Sequence, residues 1–315
     1  MSAKGRIAAP FRNALKTGAA RWPRVRRAVT AVSKEFDQAL RDDVYEDEYF
    51  ASYTRESTHA DAGAYLIWRF FPVRRTLDVG CALGYFVEAQ RELGIEAFGV
   101  DISQDALDRV TPGARGHVQY GNLLYTLPLA DREVELVSAY ETLEHLPPEV
   151  VPKALAELRR VTSAYLIATI PSFGPNANGP GGWFDVKVRP ERLDYYRSLG
   201  DAYEGPVPFE DLYRDEHGAP IEGHLTIASF GWWTKQFEAA GFVRCADVER
   251  RIHPHLARFG LTKYWNLYVL RVPDAPEPTI DMQDASAIAD LEAKWGMGTT
   301  PPDPEDLARV EEALR

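Results

Sequence analysis

Between residues 75 and 140 the chain alternates short apolar runs with helical patterns, and few architectures accept that order. Residues 75–79, 95–100, 117–120 and 135–140 read as strands. Residues 84–93 and a segment running from an N-cap at Ser103 through Arg109 read as helices. Strands separated in this way form βαβ units on a parallel sheet. Further along, residues 149–161 place Val150, Ala154, Leu155, Leu158 and Val161 on one helical face. Residues 164–170 form a fifth strand, stopped by Pro171. A helix over 230–240 ends at Gly241 and leads into strands over 242–248 and 264–272. The pattern predicts an α/β fold: a doubly wound, seven-stranded, mostly parallel sheet.

Composition narrows the class. No apolar run approaches the ~20 residues that a membrane-spanning helix needs. The two cysteines, Cys81 and Cys245, have neither metal-ligand spacing nor a disulfide framework, which points to a reducing cytoplasm. Cys81, with no basic neighbour in sequence, reads as a small apolar filler. A net charge of −11 argues against nucleic acid as a partner. The charge is uneven: residues 1–34 carry nine basic side chains and no acidic one, leaving −20 for the remainder. Val25, Val29, Val32, Phe36 and Leu40 recur at helical spacing, so residues 1–41 read as a basic arm with an amphipathic helix. It either caps the main domain or contacts anionic lipid or a glycolipid peripherally.

The first strand runs into Leu77-Asp78-Val79-Gly80-Cys81-Ala82-Leu83-Gly84. Small residues between a strand and a helix let a ligand approach the backbone and the positive helix end. A dinucleotide-binding loop would have glycine where Ala82 and Tyr85 stand. Asp78, two residues before the first glycine, suits a ligand bearing a cationic ammonium and sulfonium and would repel a pyrophosphate. Asp101 ends the second strand, where a carboxylate can accept from both hydroxyls of a ribose.

Residues 76–170 resemble the class I S-adenosylmethionine-dependent methyltransferase superfamily. The resemblance rests on the segment 77–84, on Gly-Val-Asp-Ile-Ser (99–103), on Gly-Asn-Leu-Leu (121–124) with Leu-Pro-Leu (127–129), and on Glu-Thr-Leu-Glu-His-Leu (141–146). It implies a Rossmann-like methyltransferase fold with S-adenosyl-L-methionine as methyl donor. By this likeness Asp78, Gly80, Ala82 and Gly84 belong to the loop holding the methionyl part, and Asp101 with Ile102 holds the ribose. Asn122 and Leu123 would hold the adenine edge, with Tyr140 and Glu141 on the methyl-donor face. Ala82 replaces a common glycine, and Asn122 replaces a common acid while keeping an amide oxygen that can accept.

A hydroxyl acceptor must lose its proton, and histidine suits that task near neutral pH. His145, just after the fourth strand, is the candidate base; packing at the start of the next helix is the other explanation. His224 in Glu-Gly-His-Leu-Thr (222–226) is the rival, ahead of His253 and His255, which fall in a loop between strands. Residues 172–225 form a long insertion with Trp183, Phe184, Tyr195, Tyr196, Tyr203, Phe209 and Tyr213 among charged residues. They read as a substrate lid, with a structural or oligomer-forming excursion as the alternative.

The stretch 224–242, with Trp232-Trp233, is similar to methyltransferases of polysaccharide and glycolipid clusters. That favours a sugar, glycan or glycolipid hydroxyl as acceptor. A small-molecule N- or O-methyltransferase and a non-catalytic cofactor-binding module are the alternatives. Mg²⁺ serves some sugar O-methyltransferases, but no compact carboxylate cluster here predicts a metal. The chain thus divides into 1–41, a methyltransferase domain over 42–272, and a linker with acidic helices over 273–315, which dock on the domain or form a homodimer.

Overall fold

The computed structural model describes residue 50 and residues 53–182, 187–214, 220, 223–261, 266–279, 282–297 and 303–315. The basic arm with its amphipathic helix, and Trp183 and Phe184, lie outside the described residues.

The first described helix, α1 (Ala60–Phe70), buries Ala64, Tyr65, Leu66, Ile67 and Phe70. After Pro72 the chain enters β1 (Arg75–Val79), α2 (Tyr85–Glu92), β2 (Glu96–Asp101), α3 (Gln104–Asp108) and β3 (Val118–Tyr120). Ser103 caps α3 by accepting from the Ala106 N–H, as the sequence predicts. β4 (Val134–Tyr140) is followed by a single 3₁₀ turn, Leu143–His145. Next come α4 (Val151–Val161), β5 (Thr162–Thr169) and β6 (Ser172–Phe173). The remaining elements are α5 (Pro190–Leu199), β7 (Ala228–Ser229), α6 (Phe230–Ala239), β8 (Val243–Arg244), α7 (Ala246–Arg258), β9 (Leu267–Arg271), α8 (Ala285–Lys294) and α9 (Pro304–Ala313).

Seven strands form one sheet in the order β3-β2-β1-β4-β5-β9-β8. The pairs from β3 to β5 are parallel, while β9 is antiparallel to both β5 and β8. This is the expected doubly wound sheet. The chain reverses winding between β1 and β4, and a crevice opens at the strand ends where that happens.

Strand side chains alternate between two cores. Ile167, Leu267 and Val269 face α1, α2 and α7. Leu166, Ala168, Tyr268 and Leu270 face α4 and α6. At about 25 cal/mol per Å² of apolar surface removed from water, two such faces are the main source of stability.

Two readings are corrected. The strand expected over 242–248 is only two residues long, and α7 occupies 246–258. His253 and His255 are therefore helical, not in a loop between strands. Pro254 within α7 masks the helix in the sequence, yet Val248, Ile252, Leu256 and Ala257 form its buried face.

The insertion has its own small core of Phe173, Val188, Tyr196, Val207, Leu212 and Ile227. Its entry is tied to the sheet by buried Glu249, which accepts from Asn178 Nδ2 (2.9 Å), Arg244 Nε (2.9 Å) and the Val269 N–H (2.9 Å). The C-terminal helices dock on α1 and α7, where Glu292 accepts from Tyr65 Oη (2.6 Å) and Arg258 Nη2 (2.6 Å). No helix among the described residues is long and apolar enough to cross a membrane.

Candidate active site

A cavity of about 520 Å³ opens at the carboxyl ends of β1, β2 and β4. Asp78, Gly80, Ala82, Asp101, Ile102, Asn122, Leu123, Tyr140, Glu141 and His145 all line it. Gly84 lies behind the wall as the N-cap of α2, and His224 lies beside His145.

The loop after β1 needs its small residues. Gly80 has φ of 76°, and a Cβ there would come within 2.5 Å of Thr142 Oγ1. Gly84 has φ of 77°, and a Cβ would meet Ala114 at 2.7 Å. Ala82 holds φ of 44° without being glycine. Asp101 explains how: its Oδ2 accepts from the Ala82 N–H (2.7 Å) and its Oδ1 from the Ser103 N–H (2.7 Å). Each carboxylate oxygen keeps a further lone pair for a ligand hydroxyl. Asn122 also has a local task, since its Oδ1 accepts from the Leu124 N–H at 2.8 Å.

Asp78 is buried, and its Oδ1 accepts from Ser138 Oγ at 2.8 Å. Burial pushes its pKa up to about 8; the serine bond opposes the shift and neighbouring Asp101 adds to it. Burial also raises Asp101 and the Cys81 thiol. Cys81 packs under the loop as an apolar filler, within reach of any Cβ placed on Gly99. Carboxylates line this cavity, but no lysine or arginine does so among the described residues. That lining accepts a cation and offers a pyrophosphate no counter-charge.

The far wall is assembled across the sequence. The main-chain oxygen of Glu144 accepts from the N–H groups of Leu225 (2.8 Å) and Thr226 (2.9 Å). Thr226 Oγ1 donates to the Leu146 oxygen at 2.5 Å. This crossing seats Gly223 against His145, whose Nδ1 is 3.1 Å from the Gly223 oxygen. A carbonyl can only accept, so Nδ1 carries the proton and Nε2 is the basic nitrogen of the neutral ring. The His145 and His224 rings meet edge to face at 5.0 Å. Burial, then His145 and Lys187, drive the His224 pKa down to about 2, which favours the neutral ring.

Glu144 is fully buried, with Oε1 3.8 Å from His224 Nε2. The sequence predicted no metal ligands, yet Glu144, His145 and His224 each present a donor atom within 4.8 Å of the others. Two imidazoles with one carboxylate suit a zinc-type ion better than Mg²⁺, which prefers oxygen ligands and retained waters.

Sequence reasoning overlooked Glu144 and the apolar end of the cavity, formed by Leu66, Leu256, Leu261 and Leu267. The apolar run over residues 64–71 was the available signal for α1.

Two curated relatives match part of the chain. A ubiquinone biosynthesis O-methyltransferase of Azoarcus sp. (strain BH72) is 30% identical over 107 residues, covering 31% of this chain and 44% of that protein. One from Methylococcus capsulatus is 31% identical over 103 residues, with the same coverage of each chain. The match therefore spans less than half the length of either relative. Among solved structures, a SAM dependent methyltransferase from Archaeoglobus fulgidus aligns at 19% identity over 69% of this chain and 94% of that one, with a TM-score of 0.41. Residues 77–164, which carry the glycine loop, Asp101, Asn122 and His145, match the family described as a methyltransferase domain.

Proposed function

We propose that the chain is an S-adenosylmethionine-dependent O-methyltransferase acting on a hydroxyl of a small-molecule acceptor. The observation that carries this reading is a cavity lined by Asp78, Asp101 and Glu141, with no lysine or arginine among the described residues and with His145 in its wall. The family matched by residues 77–164 and the printed names of the two relatives support it. When bound, S-adenosylmethionine supplies a methyl group on an already activated sulfonium.

The protein's part is to bind, align and take a proton. Asp78 and Glu141 would hold the cationic end of the donor, Asp101 its ribose, and Asn122 and Leu123 the adenine. His145 Nε2 would accept the hydroxyl proton of an acceptor as that oxygen takes up the methyl group. The Gly223 carbonyl holds the ring and stabilises the imidazolium that results. Alignment of oxygen, methyl and sulfur supplies much of the remaining acceleration.

His145→Ala is predicted to lower kcat by roughly 10²–10⁴-fold with little change in S-adenosylhomocysteine affinity. Transfer of labelled methyl tests this, with His224→Ala as the paired variant. Loss of turnover in His224→Ala with His145→Ala near normal would move the base to His224. Normal turnover in both would point to an amine acceptor. A sugar or glycan acceptor is the second reading, favoured by the exposed rings of Tyr195, Phe209 and Tyr213 on the insertion.

A further inference from the structure

One stretch of chain ahead of α1, made of Phe50 and residues 53–59, lies over the inner cavity at the strand ends and gives it Phe50, Tyr53, Ser57, Thr58 and His59. The family match begins at residue 77 and does not include it. We propose that Arg55, which does not itself line that cavity, is a positioning residue: it latches this stretch as a strap over the donor, and donor and product exchange when the latch opens. The proposal deepens the methyltransferase reading and rests on it.

The strap is built to move as a unit. The Thr54 N–H donates to Ser57 Oγ (2.9 Å), the Ser57 N–H to Thr54 Oγ1 (3.0 Å), and the Thr58 N–H to the Thr54 oxygen (3.0 Å). These bonds lie within the turn itself, so they persist when it swings. The turn joins α1 at His59, whose φ of 51° is a left-handed conformation uncommon outside glycine. A strained residue at the end of an element can absorb a change of φ and ψ, which is what a hinge requires. At the other end Phe50, 4% exposed, packs on Leu83 of the glycine loop and Ala106 of α3, with the Arg109 guanidinium 5.6 Å from its ring centre. That seats the strap over the loops after β1 and β2, where Asp101 stands.

Arg55 sits in the middle of the strap and ties it to three elements. Its Nη1 and Nη2 donate to the two oxygens of Glu92, the last residue of α2, at 2.5 and 2.8 Å. Its Nε donates to Asp61 in the first turn of α1 at 2.6 Å. Its guanidinium lies 5.6 Å from the ring centre of Trp295, at the end of α8. The fork of hydrogen bonds from Arg55 holds the Glu92 carboxyl below its ordinary range. One helix thus lines the cavity with Tyr85 and Phe86 and carries the catch of the latch at its far end. The Arg55 and Glu92 side chains are 27% and 39% exposed, so water competes for the pair. A forked pair in such a network reaches the upper end of what exposed ion pairs contribute, roughly a fivefold shift in an equilibrium. That favours the closed strap and still lets it open within a catalytic cycle. Through Trp295 the C-terminal helices share in holding it.

Chasing labelled S-adenosylhomocysteine from the full chain tests this, with hydrogen exchange measured alongside. Arg55→Ala and Glu92→Ala should each raise the dissociation rate about fivefold. The double variant should be no faster than Arg55→Ala alone, because both remove one contact. Arg55→Lys keeps the charge and loses the fork, so its rate should fall between those of the wild type and Arg55→Ala. Exchange at residues 54–59 should quicken in both single variants while β1 and β4 keep their protection. Dissociation within twofold of the wild type in either single variant, additive effects in the double variant, or equally faster exchange in β1 and β4 would overturn the proposal. Failure of S-adenosylhomocysteine to bind the wild-type chain would instead contradict the methyltransferase reading. Exchange at residues 54–59 in the ligand-free variants then decides the latch, and rates equal to the wild type would overturn it.

Discussion

Asp78 couples the site to stability. Its carboxyl is raised to about 8 in the folded protein, against roughly 3.9 for an unperturbed aspartate. Between those values the folded protein binds a proton that the unfolded chain releases. Stability of the ligand-free protein is therefore predicted to fall as pH rises through that window. Asp101 and Glu249, also raised by burial, act in the same direction. Ligand affinity should run the other way. An ammonium-bearing ligand needs Asp78 ionised, so S-adenosylhomocysteine should bind more tightly from about pH 6 toward about 8. Calorimetry across that range checks it, and Asp78→Asn should flatten the dependence. The position of Asp78 at the cavity was legible in the sequence, because it stands two places before the first glycine of the loop that ends β1. Its neighbour Ser138 was not, because a serine within a strand shows no partner until β1 and β4 pair.

Two contacts between elements show what a linear reading loses. Residues 144–146 and 223–226 are almost 80 positions apart, and main-chain bonds at Glu144 bring His224 beside His145. The sequence offered both histidines as rivals, and only the crossing shows them as neighbours, their rings edge to face. Thr226→Val removes the bond to Leu146 and leaves a buried carbonyl without it, at a cost of about 1–3 kcal/mol. Turnover should fall while S-adenosylhomocysteine affinity holds, and parallel kinetics and calorimetry check that split. The second contact is the Glu249–Arg244 pair, 0% and 12% exposed at the side chain. Glu249→Ala leaves a buried guanidinium uncompensated and frees Asn178 at the insertion's entry. A loss of about 3–5 kcal/mol in urea unfolding is expected. The sequence signalled neither partner, because the stretch read as a strand, 242–248, holds Arg244 and runs up to Glu249, which the structure places in α7. By contrast, β1 to β5 and their helices were legible, since buried strands and one-faced helices leave opposite periodicities.

For the whole molecule, the doubly wound sheet followed from the order of elements, and the crevice followed from the sheet. What could not be read was how the flanking segments share the crevice. The insertion looked like the natural cover because its aromatics suggested a binding surface. None of its described residues lines the inner cavity, and its approach is through Gly223 to Thr226. The apolar walls come instead from α1 and from the segment around Leu256 and Leu261, with the C-terminal helices outside them. On the proposed function, the crevice takes a cationic methyl donor and not a pyrophosphate dinucleotide. Calorimetry with S-adenosylhomocysteine and with NADH on the intact chain tests it most directly. The expected outcome is binding of S-adenosylhomocysteine, weakened in Asp101→Ala, and no heat from NADH. Binding of NADH with none of S-adenosylhomocysteine would contradict it.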